Sequence, residues 1–504
     1  MIRKVLVANR GEIAIRVMRS CYEMGIRTVA VYSTADRLSR HVLYANEAAC
    51  IGGAQSTESY LNIDRILEAA RRHRADAIHP GYGFLSENAE LARRCAAEGI
   101  TFIGPRPETM ERMGDKIQAR LTMEAAGVPV VPGCDRPLAS PAEALQEARR
   151  IGLPVMLKAS MGGGGKGMRL AWREEEVEEL FLAARSEAQA AFGDGTMFIE
   201  KFVEEPHHIE FQVLGDTHGN VIHLYDRECS VQRRHQKLVE ESPSPFLTPE
   251  LRAEMGRQAV AAARAVGYEG AGTIEFLVDK HRRFYFLEMN TRLQVEHPVT
   301  EEVVGLDLVK EQILIASGQP LSLRQEDVVQ RGHAIECRVC AEDTEHGFMP
   351  SPGVIRQLTE PHSIGARIDS CVYEGYEIPV HYDPMIAKVI VWATSRRFAI
   401  ERMRRVLYEY KITGLTTNLR YLRRIIDVPE FKEGNYNTHF IERNEARLRP
   451  RPGFKNDSEP MAAIAAYLDY LLNLEENAPD PSAPSSSPMS RWKSFGLQKG
   501  VLRV

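Results

Sequence analysis

A multidomain fold of mixed α/β and α+β class, opened by a doubly wound parallel sheet, is predicted from three observations. At 504 residues the chain exceeds one ordinary core, and about 100 to 200 residues per domain suggests about three or four units. Hydrophobic residues make up 44% and charged residues 26%, near the balance of soluble globular proteins, so most of the chain can bury a core. Over residues 1–113, short apolar strand-like runs alternate with helical segments, which is the pattern of a parallel α/β layer.

In that first layer, residues 4–9, 28–32, 77–79 and 101–103 read as strands and 12–24 as a helix. Ligands of such sheets sit at the carboxyl ends of strands, where Asn9-Arg10-Gly11-Glu12 and His79-Pro80-Gly81-Tyr82-Gly83 fall. A helix over 116–126, with Asp115 as its N-cap and Gly127 at its end, leads through Val128-Pro129-Val130-Val131-Pro132-Gly133, so residues 114–133 read as a connector. Residues 134–203 form a small α/β unit carrying a glycine loop. A core over 204–330 and a C-terminal unit over 331–448 follow. From Asn473 the chain is rich in Pro, Ser, Asp and Glu, so 449–504 reads as a helical segment with a disordered tail. The tail's Arg491-Trp492-Lys493-Ser494-Phe495-Gly496-Leu497 is an aromatic and basic cluster suited either to docking a partner subunit or to packing against the chain's own surface.

The formal net charge is −5, which provides no global basic field for nucleic acid or an anionic membrane. No stretch reaches the roughly 18 apolar residues of a membrane helix, and the N-terminus lacks a signal-peptide pattern, so a cytoplasmic protein is expected. The eight cysteines are scattered and read as free thiols. Cys337 and Cys340 match C-x-x-C on a strand-like segment, where residues three apart face opposite sides, and no second pair completes a zinc site.

The loop Gly162-Gly163-Gly164-Gly165-Lys166-Gly167 contains G-x-G-x-x-G but joins two strand-like runs, 154–160 and 168–172, instead of opening a helix. It is not a Walker A loop, because Gly167 follows Lys166. A hairpin closing its N–H groups over phosphates is the remaining functional reading. Lys158 supports it, since a lysine inside an apolar strand is costly unless an anion meets it. A second hairpin spans 273–290. With its turn at 280–283, Val278 pairs with Tyr285 and Glu275 stands opposite Glu288, on the face that carries Asn290. Like charges so placed repel unless a divalent cation lies between them, and Mg²⁺ suits two carboxylates plus substrate phosphates. Phe276, Phe284 and Phe286 indicate burial there. Next comes Asn290-Thr291-Arg292-Leu293-Gln294-Val295-Glu296, whose guanidinium, amide and carboxylate can hold a small planar anion and take its proton. The run Gln232-Arg233-Arg234-His235-Gln236-Lys237 adds cations.

Residues 1 to about 445 resemble biotin carboxylase, a member of the ATP-grasp superfamily. The resemblance is carried by Ala8-Asn9-Arg10-Gly11-Glu12-Ile13-Ala14, His79-Pro80-Gly81-Tyr82-Gly83-Phe84-Leu85-Ser86-Glu87, the glycine loop, residues 227–241 and 288–301, and Glu336-Cys337-Arg338. It implies a pre-ATP-grasp N-terminal domain, an ATP-grasp lid and core, and a C-terminal biotin carboxylase domain. It also implies that Lys116, Lys158, Gly164, Gly165, Glu200, Lys201, Phe202, Val203, His208, Gln232 and His235 contact ATP, together with Glu275 and Glu288. Those two carboxylates and Asn290 would hold Mg²⁺ or Mn²⁺. Lys237, Arg292, Gln294 and Val295 would bind bicarbonate, with Glu296 as its base. Arg338 would hold the biotin enolate, with Tyr82 near the biotin entrance.

The activity so implied is ATP-dependent carboxylation of biotin through carboxyphosphate, within an acetyl-CoA or acyl-CoA carboxylase or, alternatively, a two-subunit pyruvate carboxylase. The implied partners are a biotin carboxyl carrier protein, a second copy of the chain and a carboxyltransferase subunit. No Met-Lys-Met motif is present, so biotin is expected on a separate carrier. Lys166 stands where some relatives have Arg, and Cys340 where several have Asn; some fifty residues extend beyond the family's minimal subunit. Another ATP-grasp ligase would share Lys116, Lys158, Glu275 and Glu288 but would have no use for Arg338 or the 232–237 run. A non-catalytic scaffold would not need every one of these groups to be chemically competent. In the strand 333–341, Ile335, Cys337 and Val339 share one face and Glu336, Arg338 and Cys340 the other, and that second face is expected to line the site.

Overall fold

In the computed structural model, the described residues are 2–134, 136–159, 167–234 and 236–449, with 464, 466–469 and 471 beyond them. The glycine loop with Gly164 and Gly165, His235 and the aromatic tail cluster lie outside the described residues. Parallel strands β1 (Lys4–Val7), β2 (Arg27–Ser33), β3 (Glu47–Gly52), β4 (Ala77–His79) and β5 (Thr101–Phe102) form a sheet of order β3-β2-β1-β4-β5. The central strands are buried on both faces, which is why they read as continuous apolar runs. Helix Gly11–Glu23 follows β1 and packs Ile13, Val17 and Met18 against Leu214, Ile222 and Leu308 of the next layer. Gly81 has φ +65, and a Cβ there would come within 3.0 Å of the Asn9 amide. That amide donates to the carbonyls of Pro80 and Tyr82 at 2.7 Å each, tying together the loops after β1 and β4.

Helix Lys116–Ala125 begins as expected, with Asp115 Oδ1 accepting from the Gln118 N–H at 3.0 Å, and Gly127 ends it at φ +75. The connector is stitched into its neighbours: the Phe286 N–H bonds the Pro129 carbonyl and the Lys201 N–H the Pro132 carbonyl, both at 2.7 Å. The lid is an antiparallel sheet of β6 (Val155–Ala159), β7 (Met168–Ala171) and β8 (Met197–Lys201) in the order β7-β6-β8. Helices Pro141–Ile151 and Glu174–Phe192 cover it through Ala144, Ala148, Val177 and Phe181.

β9 (His207–Gly215), β10 (Val221–Arg233), β11 (Gln236–Ser242), β12 (Gly270–Val278), β13 (Phe284–Asn290) and β14 (His333–Cys340) join two later strands, Met385–Ala393 and Ala366–Ser370, in one antiparallel sheet. Its order is β13-β12-β9-β10-β11-β14, then Met385–Ala393 and Ala366–Ser370. The β11–β14 pairing carries this sheet from the core into the C-terminal part. There, Ile335, Cys337 and Val339 pack with helices Arg396–Glu409 and Leu419–Asp427, so the sorting of the two faces of β14 follows the expected alternation. All eight cysteines are free. Among the described residues, no helix is long and apolar enough to cross a membrane.

Candidate active site

A cleft of about 1320 Å³ runs between the carboxyl ends of β1 and β4, the lid and the inner face of the large sheet. Tyr82, Lys116, Lys158 and residues 200–203 line it, together with His208, Gln232 and Lys237. So do Glu275, Glu288, Asn290 and Arg292, then Gln294, Val295, Glu296 and Arg338. Every described residue expected to contact nucleotide, metal, bicarbonate or biotin therefore borders one space. Of the β14 face expected to line it, Arg338 and Cys340 do, whereas Glu336 is fully buried and does not.

On the lid, Lys158 of β6 meets an anion, but the anion is Glu200 of the neighbouring strand β8. The Lys201 ammonium is turned to the carbonyls of Gly152 at 3.0 Å and Leu153 at 2.6 Å, and burial lowers its pKa.

The β12–β13 hairpin places Glu275 opposite Glu288, although its end differs from expectation. Val278 pairs with Phe284, not Tyr285, and a bulge between Glu275 and Phe276 absorbs the extra residue, Leu287. Phe276 and Phe286 are buried, so the carboxylates are held on a rigid ribbon. Glu275 is richly bonded: His208 Nε2 at 2.6 Å, Lys237 Nζ at 3.0 Å, Asn290 Nδ2 at 2.8 Å and Gln294 Nε2 at 3.1 Å. Burial would raise its pKa, but Lys237 and His208 hold it well below the usual carboxylate range. Glu288 opens to the cleft and makes no side-chain hydrogen bond among the described residues. The walls around it and the charge of Glu275 raise its pKa. Two carboxylates, one of them free of partners, beside the amide oxygen of Asn290 form a hard-oxygen donor set that fits a divalent cation.

Lys237 is the hub of the next layer. Its ammonium donates to Glu210 at 2.7 Å and Glu296 at 2.6 Å as well as to Glu275. Burial would lower its pKa, but the surrounding anions push it well above the usual lysine value. Glu296 stands at the N-cap of helix His297–Val304, and its second oxygen accepts from Arg338 Nη2 at 2.8 Å. Burial acts to raise the Glu296 pKa, and Lys237, Arg338 and Arg227 overcome it, so this carboxylate is ionised. The Arg338 fork also reaches Glu240 through Nε at 2.7 Å; the acids it pairs with are Glu240 and Glu296, not Glu336. Burial pushes the Glu240 carboxyl up to about 7 despite that contact. Arg292 joins Glu87 at 2.9 Å to Gln294 at 2.8 Å and Asn290 at 3.1 Å, fastening the loop after β13 to the loop after β4.

The sequence assigns no role to Glu210, Arg227, Glu240, Glu87, Glu12 and Lys388, although Glu12, Glu87, Arg227 and Glu240 lie in the stretches that carry the family resemblance. Arg227 is wholly buried and holds Gln212 at 2.8 Å, Thr300 at 2.9 Å and Thr273 at 3.0 Å besides Glu210, so it anchors the carboxylate that anchors Lys237. The signal was available for Glu210 and Lys388: like Lys158, they are charges between apolar neighbours in a strand, whereas Arg227 sits between Asp226 and Glu228.

The chain matches the family described as Biotin carboxylase, N-terminal domain, over residues 1–110. It matches Carbamoyl-phosphate synthase L chain, ATP binding domain, over 115–324 and Biotin carboxylase C-terminal domain over 336–443. It is 56% identical to a biotin carboxylase of Nostoc sp., covering 87% of this chain and 98% of that protein. It is 54% identical to a biotin carboxylase of Halalkalibacterium halodurans, covering 88% of this chain and 97% of that protein. Among solved structures, it is 49% identical to the biotin carboxylase domain dimer of the Hydrogenobacter thermophilus 2-oxoglutarate carboxylase, in complex with MgADP, ADP and bicarbonate. The TM-score is 0.83, over 90% of this chain and all of that one.

Proposed function

The chain belongs to the biotin carboxylase family, and from that premise we propose that it carboxylates biotin on a separate carrier protein, consuming bicarbonate and ATP with Mg²⁺ or Mn²⁺. The observation that carries this reading is the double engagement of Glu296, one oxygen on Lys237 and the other on Arg338. A single base thus stands between the cation for bicarbonate and the cation for biotin.

In this reading Lys116, Lys158, residues 200–203, His208 and Gln232 hold the nucleotide, with Gly164, Gly165 and His235. Glu275, Glu288 and Asn290 would hold the metal, which when bound neutralises phosphate charge. Lys237, Arg292, Gln294 and the Val295 backbone receive bicarbonate. As Lys237 turns to the incoming anion, Glu296 loses a neighbour that depresses its pKa and gains proton affinity, so it can take the bicarbonate proton. The bicarbonate oxygen then bonds to the γ-phosphorus as the bond to ADP breaks, while Lys237 and Arg292 stabilise the developing charge. Carboxyphosphate splits into CO₂ and phosphate within the cleft. Phosphate accepts the N1′ proton of biotin, Arg338 moves from Glu296 to the urea oxygen, and Glu240 keeps the guanidinium aimed from behind. The biotin nitrogen then bonds to CO₂.

The partners we infer are the biotin carboxyl carrier protein, a second copy of this chain and a carboxyltransferase subunit, acting in the cytoplasm. Segment boundaries near 113, 133, 203, 330 and 448 divide the roles between N-terminal domain, connector, lid, core and C-terminal domain. The test uses the purified chain with Mg²⁺, ATP and free biotin, following ADP and carboxybiotin together. ADP formation should require bicarbonate; equal rates without it would sink the assignment.

A further inference from the structure

Lys388 lies in the middle of the apolar strand Met385–Ala393 and has 0% of its surface exposed. It stands opposite Arg338 on one side and Asp369 on the other. Its ammonium donates to the main-chain carbonyl of Val295 at 2.9 Å, the peptide that separates Gln294 from Glu296. It is also 3.3 Å from Glu12 Oε2, an oxygen with no hydrogen bond of its own. The other Glu12 oxygen accepts the Tyr82 hydroxyl, and the Lys388 ammonium lies 5.5 Å from the centre of the Tyr82 ring. Glu12 belongs to the first turn of helix Gly11–Glu23 and Tyr82 to the loop after β4, and both line the cleft, as does Val295; Lys388 lies buried behind them in the strand Met385–Ala393.

We propose that Lys388 and Glu12 are positioning residues that set the anion-binding peptide at Val295 and the biotin-side Tyr82 in one arrangement, so that carboxyphosphate forms only where biotin can intercept its CO₂. A buried ion pair adds little net stability, so what this one secures is geometry. A shift of about 1 Å in a positioned group can cost about a hundredfold in rate. Loss of the pair frees the Val295 carbonyl and the Tyr82 hydroxyl independently, and ATP cleavage then escapes from biotin carboxylation. The nucleotide contacts on the lid are not touched. This inference rests on the function proposed above.

The experiment compares wild type with Glu12→Gln, Lys388→Met and Tyr82→Phe, measuring ADP and carboxybiotin in one reaction and KM for bicarbonate and for MgATP. Glu12→Gln keeps the shape and an acceptor for Tyr82 but removes the charge that holds Lys388. In Glu12→Gln and Lys388→Met, ADP released per carboxybiotin should rise about threefold or more and KM for bicarbonate about tenfold, with KM for MgATP within about twofold. Tyr82→Phe should raise the ADP ratio alone, and its effect should not add to that of Glu12→Gln. If Lys388→Met does not fold, the other two variants still decide. Folded Glu12→Gln and Tyr82→Phe with wild-type ratios and KM values would overturn the proposal. So would losses in which the two KM values and the melting temperature move together. A wild-type enzyme whose ADP release ignores bicarbonate refutes the function; an active wild type with unaltered variants refutes only the positioning role.

Discussion

Replacing Arg338 with lysine separates biotin chemistry from ATP chemistry. The guanidinium spans two acids, Glu240 through Nε at 2.7 Å and Glu296 through Nη2 at 2.8 Å. An ammonium on a straight stem keeps the charge but not the fork, so at least one of these charge-assisted contacts is lost, and with it the aim toward a planar urea oxygen. One such bond is worth about 1.5 to 3 kcal/mol, which at about 1.4 kcal/mol per decade is a loss of roughly tenfold to a hundredfold in carboxybiotin formation. The fold should suffer less. The Glu240 carboxyl already sits at about 7 because it is buried, and weakening the contact that lowers it favours its neutral form. The stability loss expected is therefore about 1 to 2 kcal/mol. The assay is carboxybiotin formed, nucleotide affinity and thermal melting in the same variant. Parallel losses in nucleotide affinity, or a melting shift large enough to explain the rate, would falsify the reasoning and make Arg338 structural.

Glu288→Gln should raise the Mg²⁺ concentration needed for half-maximal rate by about tenfold or more, without lowering the melting temperature, because it removes a charge that Glu275 repels; a metal dependence like that of wild type would count against the donor set. Glu241 is the buried acceptor of Arg396, at 2.7 and 2.9 Å, and of His333, and these contacts overcome burial to lower its pKa to about 2. A depressed folded-state pKa contributes stability above the unfolded value near 4.5 that disappears as pH falls toward about 2, here about 3 kcal/mol. The stability gap between wild type and Glu241→Gln should therefore be full at pH 7 and shrink between pH 5 and 3, as followed by denaturant melts. A gap that does not change with pH would refute it.

Local order is what one sequence records well. The alternation in β14 that puts Ile335, Cys337 and Val339 on one face and the Asp115 cap follow from residues a few positions apart, where period and cap chemistry decide. The hairpin shows the limit: Glu275 faces Glu288 only because a bulge offsets a one-residue difference at the turn. The bulge at Leu287 is legible only as a result, because one unpaired residue leaves the period-two pattern intact on either side. The family resemblance supplied the roles of Lys237, Arg292, Glu296 and Arg338, which the basic run and the Asn290 to Glu296 segment alone left open.

Which charges meet was settled only by the tertiary structure. Sequence determined that Lys158, Glu275 and Arg338 occupy strands with apolar neighbours and so need partners, and that Lys237 ends a basic run. It did not say that Lys158 would take Glu200, that Lys237 would gather Glu210, Glu275 and Glu296, or that Lys388 would reach both Val295 and Glu12. Those partners lie tens to hundreds of residues away. A buried charge demands a counter-charge, but any acid within reach satisfies the demand, and reach is set by strand order and register in a sheet whose neighbours are not neighbours in the chain.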